Sequence, residues 1–139
     1  MTMIVRLRTA QRDAARADVA AAERALAQAS DDATRCATDR DAALNGWRRW
    51  LAVPRPDPAI VQLAGGWVAA CERAVGAADL DTRIAAGRRD AATSAARMAH
   101  ARLDVADEAR RDVSREATRR RDGREMADAA DRFLQGRRA

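Results

Sequence analysis

The apolar positions divide the chain into two helical stretches with one interruption between them. From residue 2 to 52, Ile4, Leu7, Val19, Ala22, Leu26, Ala29, Ala33, Ala37, Leu44, Trp47 and Leu51 recur mostly at steps of three and four. That spacing gathers side chains on one face of an α-helix. Beyond residue 58, Ile84, Ala91, Met98 and Val105 recur every seven residues, the repeat of a coiled-coil seam. Arg, Asp and Glu fill the other positions. Oppositely charged partners stand four apart at Asp79/Arg83, Asp107/Arg111, Glu116/Arg120, Arg121/Glu125 and Asp128/Arg132, a spacing that supports a solvated helix surface. No repeat longer than the heptad is evident.

The interruption is Val53-Pro-Arg-Pro-Asp-Pro58, which holds all three prolines. A helix cannot run through it, because each proline lacks an N–H and restricts the residue before it. Asp57 followed by Pro58 is a helix start: the carboxylate can accept from free backbone N–H groups, and proline is tolerated at the first helical position. The pattern therefore predicts a single all-α domain over 1–139, two long helices in an antiparallel coiled-coil hairpin. Helix one spans about 2–52, a proline turn 53–58, and helix two about 58–134, ending near Gly136 and Arg137-Arg138. With the turn centred near Arg55, facing residues have numbers adding to about 110, so 1–52 pair with 58–109 and about 25–30 residues continue beyond. Gly65-Gly66 is the place where helix two would kink or break.

Composition changes this picture in one respect. Hydrophobic residues make up 47% of the chain, yet 37 residues are Ala and aromatics are only 3%. Alanine favours helix strongly but buries little apolar area, so the seam is thin and a partner is expected to supply part of the stability. Gly76 and Gly87, eleven apart, fit a close approach of the two helices on one face. All 26 basic residues are Arg, set against 21 acids. Residues 1–52 carry 9 Arg and 7 acids, 53–109 carry 7 and 8, and 110–139 carry 10 and 6. The positive excess thus gathers at the C-terminal end. Arg6 and Arg8 interrupt any leader-like apolar run, and no stretch has the roughly 18 apolar residues of a membrane span. A soluble, cytoplasmic protein is the expectation.

The chemistry-bearing residues are few. Trp47, Trp50 and Trp67 flank the turn. On the pairing rule Trp47 faces about Leu63 and Trp67 faces about Ala43, so Leu44, Trp47, Leu51, Leu63 and Trp67 would form one apolar knot. Trp50, off that seam, either helps lock the turn or offers an aromatic anchor to a partner beside Arg48, Arg49 and Arg55. The arm holding Arg110, Arg111, Arg115, Arg119, Arg120, Arg121, Arg124 and Arg132 reads as a solvated helix surface or as a docking surface for an acidic protein. Nucleic-acid binding is disfavoured, since carboxylates dilute the charge and no aromatics are interleaved. Cys36 and Cys71 lie within about one turn of each other across the hairpin and read as small packed residues. His100 has no partner at ligand spacing, Gly87-Arg-Arg lacks the remainder of a phosphate loop, and the carboxylates are spread along helices without a pocket. The residues point to a protein with no enzymatic activity, metal, cofactor or small-molecule substrate, acting by binding other proteins. A self-associating structural coiled coil is the alternative, followed by a basic nucleic-acid-associated helical protein.

Size, the long antiparallel hairpin, the proline turn and the arginine-rich arm together resemble the FliJ/YscO family of type III secretion systems, in particular its HrpB-operon type. The resemblance covers essentially the whole chain and lies in architecture, with no sharp motif. It implies a cytoplasmic stalk protein associated with the membrane-bound secretion apparatus, a component of bacterial virulence and protein transport. It would sit in the hexameric secretion ATPase, contact the export gate and, in some members, handle secretion chaperones. The membrane is then reached only indirectly. By region, the resemblance assigns Leu44, Trp47, Trp50 and Trp67 to the export-gate end. Ile4, Leu7 and the arm with Arg119, Arg120, Arg121, Arg124 and Phe133 fall at the ATPase end.

Overall fold

The structure, a computed structural model, describes residues 2–136, with side chains over 3–133. It is all-α: α1 spans Thr2–Leu51 and α2 spans Pro58–Gly136, and the two pack against each other with no strand among the described residues. Met1, Arg137 and Arg138 lie outside the described residues. Helix one thus ends one residue earlier than the sequence pattern suggests, and helix two runs through Gly65-Gly66 without a break. Helical hydrogen bonding on either side carries the pair of glycines. The start of α2 is built as the sequence implies: the Asp57 carboxylate accepts from the Ala59 N–H at 2.9 Å, and the Asp57 carbonyl accepts from Val61 N–H at 3.0 Å.

The chain divides into two compact units. In the unit Ala15–Ala96, the seam of α2 is Val61, Ala64, Val68, Cys71, Val75, Ala78, Thr82, Ala85, Arg89 and Ala92, all buried or half-buried at strict steps of three and four. The half-buried series on α1 is Val19, Ala22, Leu26, Ala29, Ala33, Cys36, Arg40, Ala43 and Trp47. The Thr82 hydroxyl fixes the register. It lies 2.9 Å from the Ala78 carbonyl of its own helix and 3.2 Å from the Ala29 carbonyl of α1. The numbers 29 and 82 add to 111, one more than the turn-based expectation, and the other seam positions obey the same rule.

In the second unit, formed by α1 up to Ala14 and α2 from Arg97, Leu103 is buried and Val5, Arg8 and Arg12 are half-buried. From Glu108 to Phe133 every side chain is exposed. The stretch is held locally, by ion pairs such as Asp107–Arg110 at 3.4 Å, Asp112–Arg115 and Glu116–Arg120. Asp107 therefore turns to the arginine three residues on, whereas Glu116 takes the one four residues on. On α1, Asp32 accepts from Arg35 and from Gln28, and the Arg35 guanidinium holds its carboxyl below the ordinary carboxylate value.

Several sequence expectations are corrected here. Ile84, Ala91, Met98 and Val105 do not form the seam; all four are exposed, as are Ile4, Leu7 and Leu51. Gly76 and Gly87 are exposed too, and a Cβ built on either meets nothing within 4 Å. The physical reason is size. The helices approach over Ala, Val, Cys and Thr, and the bulkier residues of α2 are left on another face with the same seven-residue period.

Candidate functional site

At the end of the Ala15–Ala96 unit next to the turn, the seam closes on Trp47, whose indole lies against Gly65; a Cβ built there would stand 3.5 Å from Nε1. That is ordinary contact distance, so the glycine is compatible with the ring without being required by it. The indole N–H is buried and has no acceptor among the described residues. Trp47 therefore meets Gly65 and not Leu63, and Leu44 beside it is half-buried.

This register turns the remaining bulky residues outward. Val68 takes the buried position, so Trp67 is 62% exposed and Leu63 77% exposed, while Trp50 is 45% exposed. The expected knot of Leu44, Trp47, Leu51, Leu63 and Trp67 thus does not form: only Leu44 and Trp47 lie inward. Instead Trp50, Ile60, Leu63, Gly66, Trp67 and Ala70 line a shallow apolar concavity of about 850 Å³. Arg48 and Arg49 occupy the last turn of α1 beside Trp50 and are exposed, where their charge suits the partial negative end of the helix. An exposed apolar surface of this kind has the make-up of a protein-binding face. It has no buried titratable side chain.

The arm residues lie elsewhere. Arg119, Arg120, Arg121, Arg124 and Phe133 are all exposed on α2 in the second unit. Arg120 is paired with Glu116, whereas Arg119, Arg121 and Arg124 reach no carboxylate among the described residues. Val113, Glu116, Ala117, Arg120, Arg121 and Arg124 line one shallow strip, in which three arginines outnumber the single carboxylate.

Cys71 is buried and Cys36 half-buried, both as free thiols. On the 111 rule Cys36 is level with Val75 and Cys71 with Arg40, one turn apart, so both serve as small seam residues. His100 lies 3.7 Å from Asp104, its i+4 neighbour. Among the described residues no group of three or more His, Cys, Asp or Glu could hold a metal ion, and no helix is long and apolar enough to cross a membrane.

Sequence reasoning missed the outward face of α2, although a signal for it exists. Leu63, Ala70, Ala77, Ile84 and Ala91 are apolar at every seventh position. The fold and its exposed surfaces define a two-helix coiled-coil hairpin. Compared with known proteins, the chain matches no family model, no curated protein and no solved structure.

Proposed function

We propose that the protein is a non-enzymatic central-stalk or adaptor component of a type III secretion system, cytoplasmic and associated with the membrane-bound apparatus. The arm around Arg119–Phe133 engages the hexameric secretion ATPase. The shelf of Trp50, Leu63 and Trp67, with Leu44 and Trp47 beneath it, engages the export gate, and secretion chaperones are further partners. The observation that carries this reading is the stretch Glu108–Phe133, in which every side chain is exposed. A long helix with no buried side chain is held chiefly by local ion pairs, and its surface is available to a partner. Its unpaired arginines suit an acidic lining. A single asymmetric helix pair inside a six-fold ring contacts the subunits unequally, stabilising one arrangement of nucleotide states over the others without making or breaking bonds.

The test is the rate of ATP hydrolysis by the secretion ATPase hexamer with the full chain and with a chain ending at Thr118. The full chain changes the rate and the shortened chain, still helical by circular dichroism, does not. Equal rates with no chain, full chain and shortened chain would sink the stalk reading.

A further inference from the structure

We infer that the strip of α2 over residues 113–124 is a docking groove for one acidic amphipathic helix of a partner protein, which lies on it as α1 lies on the stretch of α2 just before it. The inference deepens the reading of the arm as a partner-binding surface and rests on that reading, though not on which protein the partner is. All of the residues involved belong to the unit formed by α1 up to Ala14 and α2 from Arg97.

The case begins with the continuity of one face. In this unit α2 turns Ala99, Leu103 and Ala106 toward α1. Leu103 is buried and the two alanines are half-buried, while Arg102, Asp104 and Val105 between them are exposed. Continued at the same alternating steps of four and three, this face passes through Arg110 to Val113, Ala117, Arg120, Arg124 and Ala127. Four of those positions, Val113, Ala117, Arg120 and Arg124, line the strip. The other two lining residues, Glu116 and Arg121, stand on its opposite flanks. Positions alternating by four and three stay on one side of a helix along a two-helix seam. The strip is therefore the hairpin seam of this unit carried past Asp107, the last half-buried residue, into the stretch where every side chain is exposed.

Charge and size select the occupant. Arg120 is engaged by Glu116, but Arg121 and Arg124 reach no carboxylate among the described residues. Two such strips laid on each other would repel, which disfavours a second copy. A helix with Asp or Glu set against Arg120, Arg121 and Arg124 satisfies them, because guanidinium groups make planar two-point contacts with carboxylates. Val113 and Ala117 are small, so the facing helix comes close there and presents Ala, Val or Leu. A seam of two heptads spans about 21 Å, and the partner segment has roughly 14–18 residues. An extended polyanion would instead follow the arginines on every side of the arm, including Arg115 and Arg119, which point away from the strip.

The probe is a fluorescein-labelled synthetic helix of about three heptads, with Ala and Leu on one face and Glu on its flanks. Polyglutamate of equal charge is the comparison. Fluorescence anisotropy with the full chain at about 0.1 M salt should show the helix bound at least about tenfold more tightly than polyglutamate. Two double variants carry the same change of charge. Arg120→Glu/Arg124→Glu alters the strip and Arg115→Glu/Arg119→Glu the opposite side, each removing one ion-paired and one unpaired arginine. The first should raise the dissociation constant of the helix at least about tenfold and the second less than about threefold, with helix content by circular dichroism unchanged in both. Equal losses in the two variants overturn the inference, as does polyglutamate binding as tightly as the helix. So does a helix left unbound up to about 500 μM chain. The stalk reading fails separately: a secretion ATPase indifferent to the full chain sinks that reading while strip-specific binding of the helix upholds this inference.

Discussion

Replacing Trp47 by alanine removes the bulkiest side chain of the seam, and its cost can be worked from the surroundings. The ring is half-buried against Gly65, which hides roughly 160 Å² and corresponds to about 4 kcal/mol at 25 cal/mol per Å². Two effects act in the other direction. The buried indole N–H has no acceptor among the described residues, so its removal returns about 1–2 kcal/mol. Alanine also gains about 0.5 kcal/mol of helix propensity over tryptophan. The net loss is about 2 kcal/mol, or a fall in Tm of about 5–10 °C for a chain of this size. Trp67→Ala, by contrast, removes a ring that is 62% exposed, and its Tm should stay within about 2 °C of the parent. Both are measured by thermal circular dichroism at about 1 μM chain. Equal losses for Trp47→Ala and Trp67→Ala would refute the assignment of faces. A larger loss for Trp67→Ala would place the seam on the wrong side of α2.

Three further outcomes follow from the same geometry. Ala85 is in the seam and Ala91 is outside it, so Ala85→Asp should cost at least about 2 kcal/mol in urea unfolding and Ala91→Asp about 0.5 kcal/mol; the reverse order would restore the Ile84–Ala91–Met98 seam. Gly76→Ala places a methyl in open space within a helix and should stabilise by about 0.5–1 kcal/mol, with no gain in Tm counting against an unstrained helix there. Asp57→Ala deletes the acceptor for the Ala59 N–H and should cost about 1 kcal/mol; an unchanged urea midpoint would show that water replaces the cap at no loss.

The two helices, their turn and the Asp57 cap were legible in the sequence because each rests on local physics. Three prolines within six residues stop a helix in any context, and an Ala-, Arg- and Asp-rich stretch without turn formers continues one. The approximate level of pairing followed from the short turn, to within one residue of the 111 rule. The side-chain content of the candidate sites was legible as composition: aromatics around the turn, arginines in the arm.

Which face of α2 meets α1 was decided only in three dimensions. Two series of apolar residues share the seven-residue period, and periodicity does not distinguish them. The bulkier one, read from Ile84, Ala91, Met98 and Val105, looked like the seam. The packing chose the smaller one, with Val68, Cys71, Ala78 and Ala85 buried, because small side chains let two backbones approach along their length. A single turn sets the phase of the whole hairpin, so the placement of Trp47 on Gly65 and of Thr82 on the Ala29 carbonyl turns the larger residues outward together. The sequence thus determined that the chain forms two helices joined by a capped turn. The tertiary structure determined that Leu63, Trp67, Leu80 and Ile84 stand exposed on α2 while smaller residues take the seam.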